Sequence, residues 1–551
     1  MLRIIFLGLS FIPFSAILSY AQKSSPPLDW FLKDPERDHL LGVSAERTYD
    51  SLLKGQPSRT VIVAIVDSGI DIEHEDLKSV IWSNEDEIPG NNIDDDHNGY
   101  IDDVHGWNFI GGRDGNVNQD TYELTREYVR LKNIYGALDA KKVSRKQKKE
   151  YAKYLDAKNK YEKRKGKEVE QYDQFREQYK LYQNIDKNFR FSVDTLKIIL
   201  QMEKLSPLDV EQFQTSEPVL LFSKGLIKRM VRSTEKNDLD SVQAELEETL
   251  KYYKSAVDHY STIVDYGYNE DFNSRLIVGD DYANVHEKYY GNQDVTGPDA
   301  EHGTHVAGII AADRKNALGI KGIADNVKIM SVRTVPNGDE RDKDVANAIR
   351  YAVDNGALII NMSFGKSYSP EKKVVDEAVQ YAERKGVLLI HAAGNDGQDI
   401  DKNVDYPTRF YLDGREAKNW LEVGASAWGR DENFVADFSN YGKKSVDFFA
   451  PGKEIYSTTP GNHYENLSGT SMACPSAAGV AALLMSYFPD LTAAQIVDVL
   501  KKSTRKFDGL KVQKPGGGNV DFSELSNTGG LVNAYEAVKM AQVVKSQKGV
   551  K

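Results

Sequence analysis

Asn466-Leu-Ser-Gly-Thr-Ser-Met-Ala-Cys-Pro-Ser-Ala-Ala-Gly-Val-Ala-Ala-Leu-Leu-Met485 opens with small polar residues and closes as an apolar run without a charge. A helix with no polar face has to be buried, so the pattern predicts a core helix over Ala473–Met485. Ala477, Ala478, Gly479, Ala481 and Ala482 let neighbouring elements approach it closely. Ser471 falls where the loop enters that helix, beside amides that have no partner inside the helix and near the positive end of its dipole. A serine there is ordinarily a helix cap. It can also be a nucleophile, because an oxyanion formed beside it meets N–H donors already in position.

The chain around this helix has 551 residues, 40% hydrophobic and 28% charged, a globular composition long enough to bury a central helix. Its 71 basic and 83 acidic residues leave a formal charge of −12, which argues against nucleic acid as a partner. Met1–Ala21 carries Arg3, an apolar run over Ile4–Leu18 and Ser19-Tyr20-Ala21. This is the layout of an export signal cleaved after Ala21, and it predicts a periplasmic or extracellular location. No later segment is apolar enough to span a bilayer. Cys474 is the only cysteine, so no internal disulfide is available.

Beyond a short lead at 22–58, the run Thr60-Val-Ile-Val-Ala-Ile-Val66 reads as a strand buried on both faces of a parallel sheet. Asp67 stands at its carboxyl end, where open α/β sheets gather ligands and catalytic groups. From His302 onward, strands at Val327–Val332, Ala357–Asn361, Gly386–Ala392, Trp420–Gly424 and Val446–Ala450 alternate with helices at Lys343–Asn355 and Pro370–Lys385. That rhythm predicts an α/β fold, a doubly wound, mostly parallel sheet with helices on both faces. Between these parts, 120–290 is rich in Lys, Glu and Tyr and reads as an α-helical insertion, with a capping opening at Ser144-x-x-Gln147. The expected organisation is signal peptide 1–21, lead 22–58, first part of the main domain 59–119, insertion 120–290 and second part 291–545.

Asp94, Asp96, Asn98, the Tyr100 carbonyl and Asp102 have the alternate spacing of an EF-hand-like loop, with Gly99 at its sixth position. His105 occupies the twelfth position in place of a bidentate Glu, and Asp103 is a substitute. Carboxylates this close repel one another without a cation, so the loop predicts structural Ca2+.

Asp67, His302 and Ser471 supply an acid, an imidazole and a hydroxyl in one of the chain orders known for serine hydrolase triads, and Asn395 adds an amide suited to an oxyanion. The boxes Asp67-Ser-Gly69, His302-Gly-Thr-His-Val-Ala-Gly308 and Gly469-Thr-Ser-Met-Ala473 resemble the three signatures of subtilisin-like serine peptidases. Asn361-Met-Ser-Phe-Gly365 and Ala392-Ala-Gly-Asn395 are similar to that family's substrate strand and oxyanion motif. The resemblance covers about 61–110 and 291–487 and implies a subtilisin-like fold and peptide-bond hydrolysis. It makes Ser471 the nucleophile, His302 the general base and Asp67 the group that orients the imidazole. Asn395 and the Ser471 N–H become the oxyanion donors. Ser363, Phe364, Gly365, Ala393 and Gly394 are the substrate-binding positions, facing an extended polypeptide. By the same comparison His305 is a packing residue.

Two departures stand out: 22–58 is too short for the family's usual folding propeptide, and 120–290 separates acid from histidine. A non-catalytic binding protein on the same scaffold is the competing class. An esterase of the α/β-hydrolase type is disfavoured, because Ala473 stands where its elbow needs glycine.

Overall fold

The structure is a computed structural model that describes residues 26–234 and 237–548, so the predicted export signal lies outside the described residues. Two compact units divide it, one formed by 159–265 and the other by 26–158 with 266–548. The ends of the predicted insertion, 120–158 and 266–290, thus fall in the unit of the sheet.

Nine strands form the central sheet: β1 (Val61–Asp67), β2 (Gly106–Asn108), β3 (Val327–Arg333), β4 (Ile359–Met362), β5 (Leu388–Ala392), β6 (Trp420–Ser426), β7 (Phe448–Pro451), β10 (Arg505–Lys506) and β11 (Gly530–Leu531). A separate antiparallel hairpin, β8 (Ile455–Thr459) with β9 (His463–Leu467), lies between β7 and the serine loop. The spatial order is β10-β11-β7-β6-β5-β4-β1-β3-β2, and every neighbouring pair is parallel except β10 with β11. The predicted doubly wound sheet is therefore what folds.

β1 shows why its run lacks alternation. Val61, Val63 and Ile65 face one core, while Ala64 and Val66 face the other. The first core is closed by α1 (Glu301–Ala311) and α4 (Thr470–Tyr487), the second by α2 (Asp342–Asp354) and α3 (Lys372–Lys385). A strand covered by helices on both faces buries every side chain, and period-two patterning disappears.

α4 is the predicted core helix, three residues longer at its start. Residues Met472 to Ser486 are all buried. Small side chains set the helix spacing: a Cβ on Gly479 would lie 2.6 Å from Ile323 Cβ. Pro475 sits inside α4 and cannot donate to the Ser471 carbonyl one turn earlier. Ser363 Oγ donates to that carbonyl instead, at 3.0 Å. The helix break is thereby satisfied by a residue from the end of β4.

The smaller unit contains most of one long helix, Lys148–Leu200, with shorter helices at Pro207–Gln212, Pro218–Ser233 and Leu239–Thr262. It has its own core of Phe189, Leu196, Leu205, Val210, Ile227, Val231, Val242 and Leu246. Phe175 stacks on Tyr260 and Tyr182 on Tyr253, at 5.2 and 5.1 Å, which explains the tyrosine-rich composition. No helix of the described residues is long and apolar enough to cross a membrane.

Candidate active site

Asp67 ends β1 at the carboxyl edge of the sheet and is buried, at 2% exposure. Its Oδ1 accepts the Ser68 N–H at 2.7 Å and lies 2.7 Å from His302 Nδ1; Oδ2 is buried without a partner. His302 is the second residue of α1, with 39% of its side chain exposed at the rim. Burial by itself lowers the imidazole pKa. The Asp67 carboxylate, by charge and hydrogen bond, outweighs it, so His302 titrates above its ordinary 6.5. The approach is close because residue 303 is glycine: a Cβ there would lie 2.2 Å from the Gly69 carbonyl oxygen.

α1 packs against α4, which carries Ser471 in its first turn. The Ser471 Oγ donates to the Ser363 carbonyl at 3.1 Å, and Ser363 Oγ returns a bond to the Ser471 carbonyl. The structure thus pairs acid with imidazole directly, while the hydroxyl rests on the Ser363 carbonyl rather than on His302. A turn about χ1 frees it for the loss of one neutral hydrogen bond, about 1 kcal/mol.

Asn395 follows β5. Its Oδ1 accepts from Thr470 N–H at 2.9 Å and Thr470 Oγ1 at 3.0 Å. The Gly394 N–H donates to that same Thr470 hydroxyl. Fixing the amide oxygen aims Nδ2 the other way, and a Cβ on Gly469 would meet Asn395 Nδ2 at 3.6 Å and Ser471 N at 3.5 Å. The Asn395 amide nitrogen and the Ser471 backbone nitrogen thus lie near one point beside Gly469.

His305 takes no part in this group. Its Nε2 faces the carbonyls of Ile455 and Glu465 at 3.0 and 3.1 Å, tying α1 to the β8–β9 hairpin. Burial lowers it to about 4, so it is neutral. Cys474 is buried against the Ile390 carbonyl and the Asn361 side chain, and burial pushes its thiol up.

The acidic loop is arranged differently from its spacing. Asp102 accepts the N–H groups of Gly90, Asn91 and Asn92, and Asp94 accepts those of Asn98 and Gly99. Asn98 uses its amide to donate to Asp96 and Asp103, its Oδ1 accepts the Tyr100 N–H, and the Tyr100 ring is buried. The carboxylates that converge within 4.8 Å are Glu87, Asp96 and Asp103. Of the spaced set only Asp96 belongs to this trio. Glu87 lies before the motif, and its Oε1 accepts the Asp95 N–H, a contact no local spacing announces. Burial holds Asp103 up at about 6. These three carboxylates are hard oxygen donors of the kind Ca2+ takes.

A profile of the subtilase family matches residues 58–523. A thermophilic serine proteinase of Bacillus sp. (strain AK1) is 41% identical over 227 residues, 41% of this chain and 50% of that protein. Thermitase of Thermoactinomyces vulgaris is 37% identical over 239 residues, 43% of this chain and 75% of that protein. The solved structure of a cold-adapted subtilisin-like serine proteinase matches with 30% identity, covering 43% of this chain and 77% of that one, at a TM-score of 0.35. The chain spans about half the length of the first of these relatives.

Proposed function

The chain belongs to the subtilase family, and from that premise we propose that it is an exported serine endopeptidase acting on extended polypeptide. The observation that carries the reading is the 2.7 Å contact between buried Asp67 and His302 beside the helix bearing Ser471. In this mechanism Ser471 Oγ leaves the Ser363 carbonyl and attacks the substrate carbonyl carbon. His302 takes the hydroxyl proton at Nε2, and Asp67 holds Nδ1–H and favours the imidazolium. Asn395 Nδ2 and the Ser471 N–H receive the oxyanion. His302 then returns the proton to the leaving amine, and water repeats the cycle on the acyl-enzyme.

Release of the Ser363 carbonyl from Ser471 leaves a free acceptor at the end of β4. Together with Phe364 and Gly365 it suits pairing with a substrate strand, across from Ala393 and Gly394. A structural Ca2+ belongs to the same proposal, held by Glu87, Asp96 and Asp103; its part is to offset carboxylate repulsion and brace the loop after β1. The test is a fluorophosphonate probe on the full chain, read by mass spectrometry together with casein digestion. Labelling at Ser471 and loss of both signals in Ser471→Ala are expected. An unlabelled wild-type protein that digests nothing would return the scaffold to the binding-protein class.

A further inference from the structure

Gly365 and Gly394 end the two substrate-facing segments, and the same side chain stands behind both. A Cβ on Gly365 would lie 2.6 Å from Asp405 Oδ2, and one on Gly394 would lie 2.9 Å from it. Neither residue has a Cβ, so that oxygen is open to the space between the segments. Its position is fixed by the backbone: Lys366 N–H donates to the Tyr406 carbonyl and Tyr406 N–H to the Lys366 carbonyl, each at 2.9 Å. That exchange pins Asp405 beside Gly365. On the other side, Asn440 holds the Ala393 carbonyl through its Nδ2 and the Asp396 and Gln398 N–H groups through its Oδ1.

Among the described residues Asp405 has neither a hydrogen bond nor a salt bridge, although it is half-buried. Nearby cations are committed elsewhere, Lys402 to Asp399 at 2.7 Å. Lys366 pairs with Glu123 and Asp342, both at 2.8 Å, and Arg409 pairs with Asp447. His391 faces Glu422 at 2.7 Å. Asp396 is exposed, one residue beyond Asn395. The cavity that Asp405 lines also holds Glu422, Arg409 and Lys444, of which Arg409 is already paired with Asp447. Burial raises the Asp405 carboxyl well above the usual range; His391 opposes the rise, and Glu422, Glu340 and Asp396 add to it. A carboxyl raised in this way gives up its proton when a cation comes to lie beside it.

We propose that Asp405 forms the floor of the pocket for the residue preceding the scissile bond and selects a lysine or arginine side chain there. The proposal rests on the peptidase reading and adds its substrate class. An ammonium or guanidinium entering between Gly365 and Gly394 gains the charge-assisted bond that no residue of the chain supplies. An acidic side chain meets like charge, and an aromatic one leaves the carboxylate desolvated without a partner.

The experiment measures kcat/KM of the full-length protein on peptide p-nitroanilides that differ only in the residue before the scissile bond: Arg, Lys, Phe, Leu or Glu. The expected wild-type order places Arg and Lys first, and Asp405→Asn is expected to reduce the Arg-to-Phe ratio by about 10- to 100-fold. Benzamidine is expected to inhibit the wild type competitively on the Phe substrate, which tests the pocket without any substitution. Ser471-dependent turnover that favours Phe or Leu, or a ratio unmoved in Asp405→Asn, overturns the assignment and leaves the peptidase standing. Absence of Ser471-dependent turnover on every substrate overturns both.

Discussion

Replacing Asp67 with Asn tests the coupling of acid and imidazole, because the substitution keeps the shape and removes the charge. In the wild type, burial lowers the His302 pKa and Asp67 more than reverses this, so the imidazole titrates above 6.5. Catalysis requires neutral His302, hence the acid limb of kcat/KM falls above pH 6.5. Without the Asp67 carboxylate, burial is opposed only by the weaker pull of Asp299 and Glu301, and the limb moves to lower pH. Turnover falls by about 10⁴, or about 5.4 kcal/mol of transition-state stabilisation, because the tautomer is no longer held and the imidazolium has no counter-charge. Stability follows the opposite sense of pH. A histidine raised on folding stabilises fully below its unfolded pKa, and that contribution is lost as pH rises through the folded value. The melting-temperature advantage of wild type over Asp67→Asn is therefore greatest below pH 6.5 and shrinks on the alkaline side, where Asp67 is a buried anion with Oδ2 unpartnered. Stopped-time hydrolysis and thermal melts across the pH range measure both curves. An unmoved acid limb, or a loss under tenfold, refutes the coupling.

Asn395→Ala removes a donor whose oxygen side is already held by Thr470; kcat should drop about 10²- to 10³-fold with KM little changed, measured by steady-state kinetics. Chelator should lower the wild-type melting temperature by a few degrees, as expected for loss of a ligand held about 100-fold above its Kd. Glu87→Gln should melt lower in calcium and respond little to chelator; an equal response in both proteins removes the cation from the loop. Gly479→Ala should destabilise by about 1–3 kcal/mol in denaturant titrations, because its methyl meets Ile323 at 2.6 Å inside a packed core.

The sheet and its helices were legible because burial on two faces writes continuous apolar runs into the chain. Val61–Val66 and Ala473–Met485 could not be solvated in any arrangement, and the strands after them follow the same rule. The acid–imidazole contact was legible through motif resemblance alone, since 235 positions separate its partners. What the residue pattern hid is set by tertiary contact. The orientation of Ser471 depends on Pro475 vacating a helical carbonyl and on Ser363 filling it. Glu87 joins Asp96 and Asp103 only once the loop has turned back, while Asp102 is diverted to cap the 90–92 turn.

Asp405 carries that lesson furthest. On paper it is one of three aspartates in Asp399–Asp405, placed ahead of a Tyr-Pro pair, with nothing in its neighbours to mark it. Its meaning comes from two earlier glycines, Gly365 and Gly394, that lack the atom that would cover it. An unpaired, half-buried carboxyl costs stability, and an apolar side chain there would fold as well. A carboxyl retained between Gly365 and Gly394 with no partner among the described residues is what the proposed preference for a basic side chain accounts for.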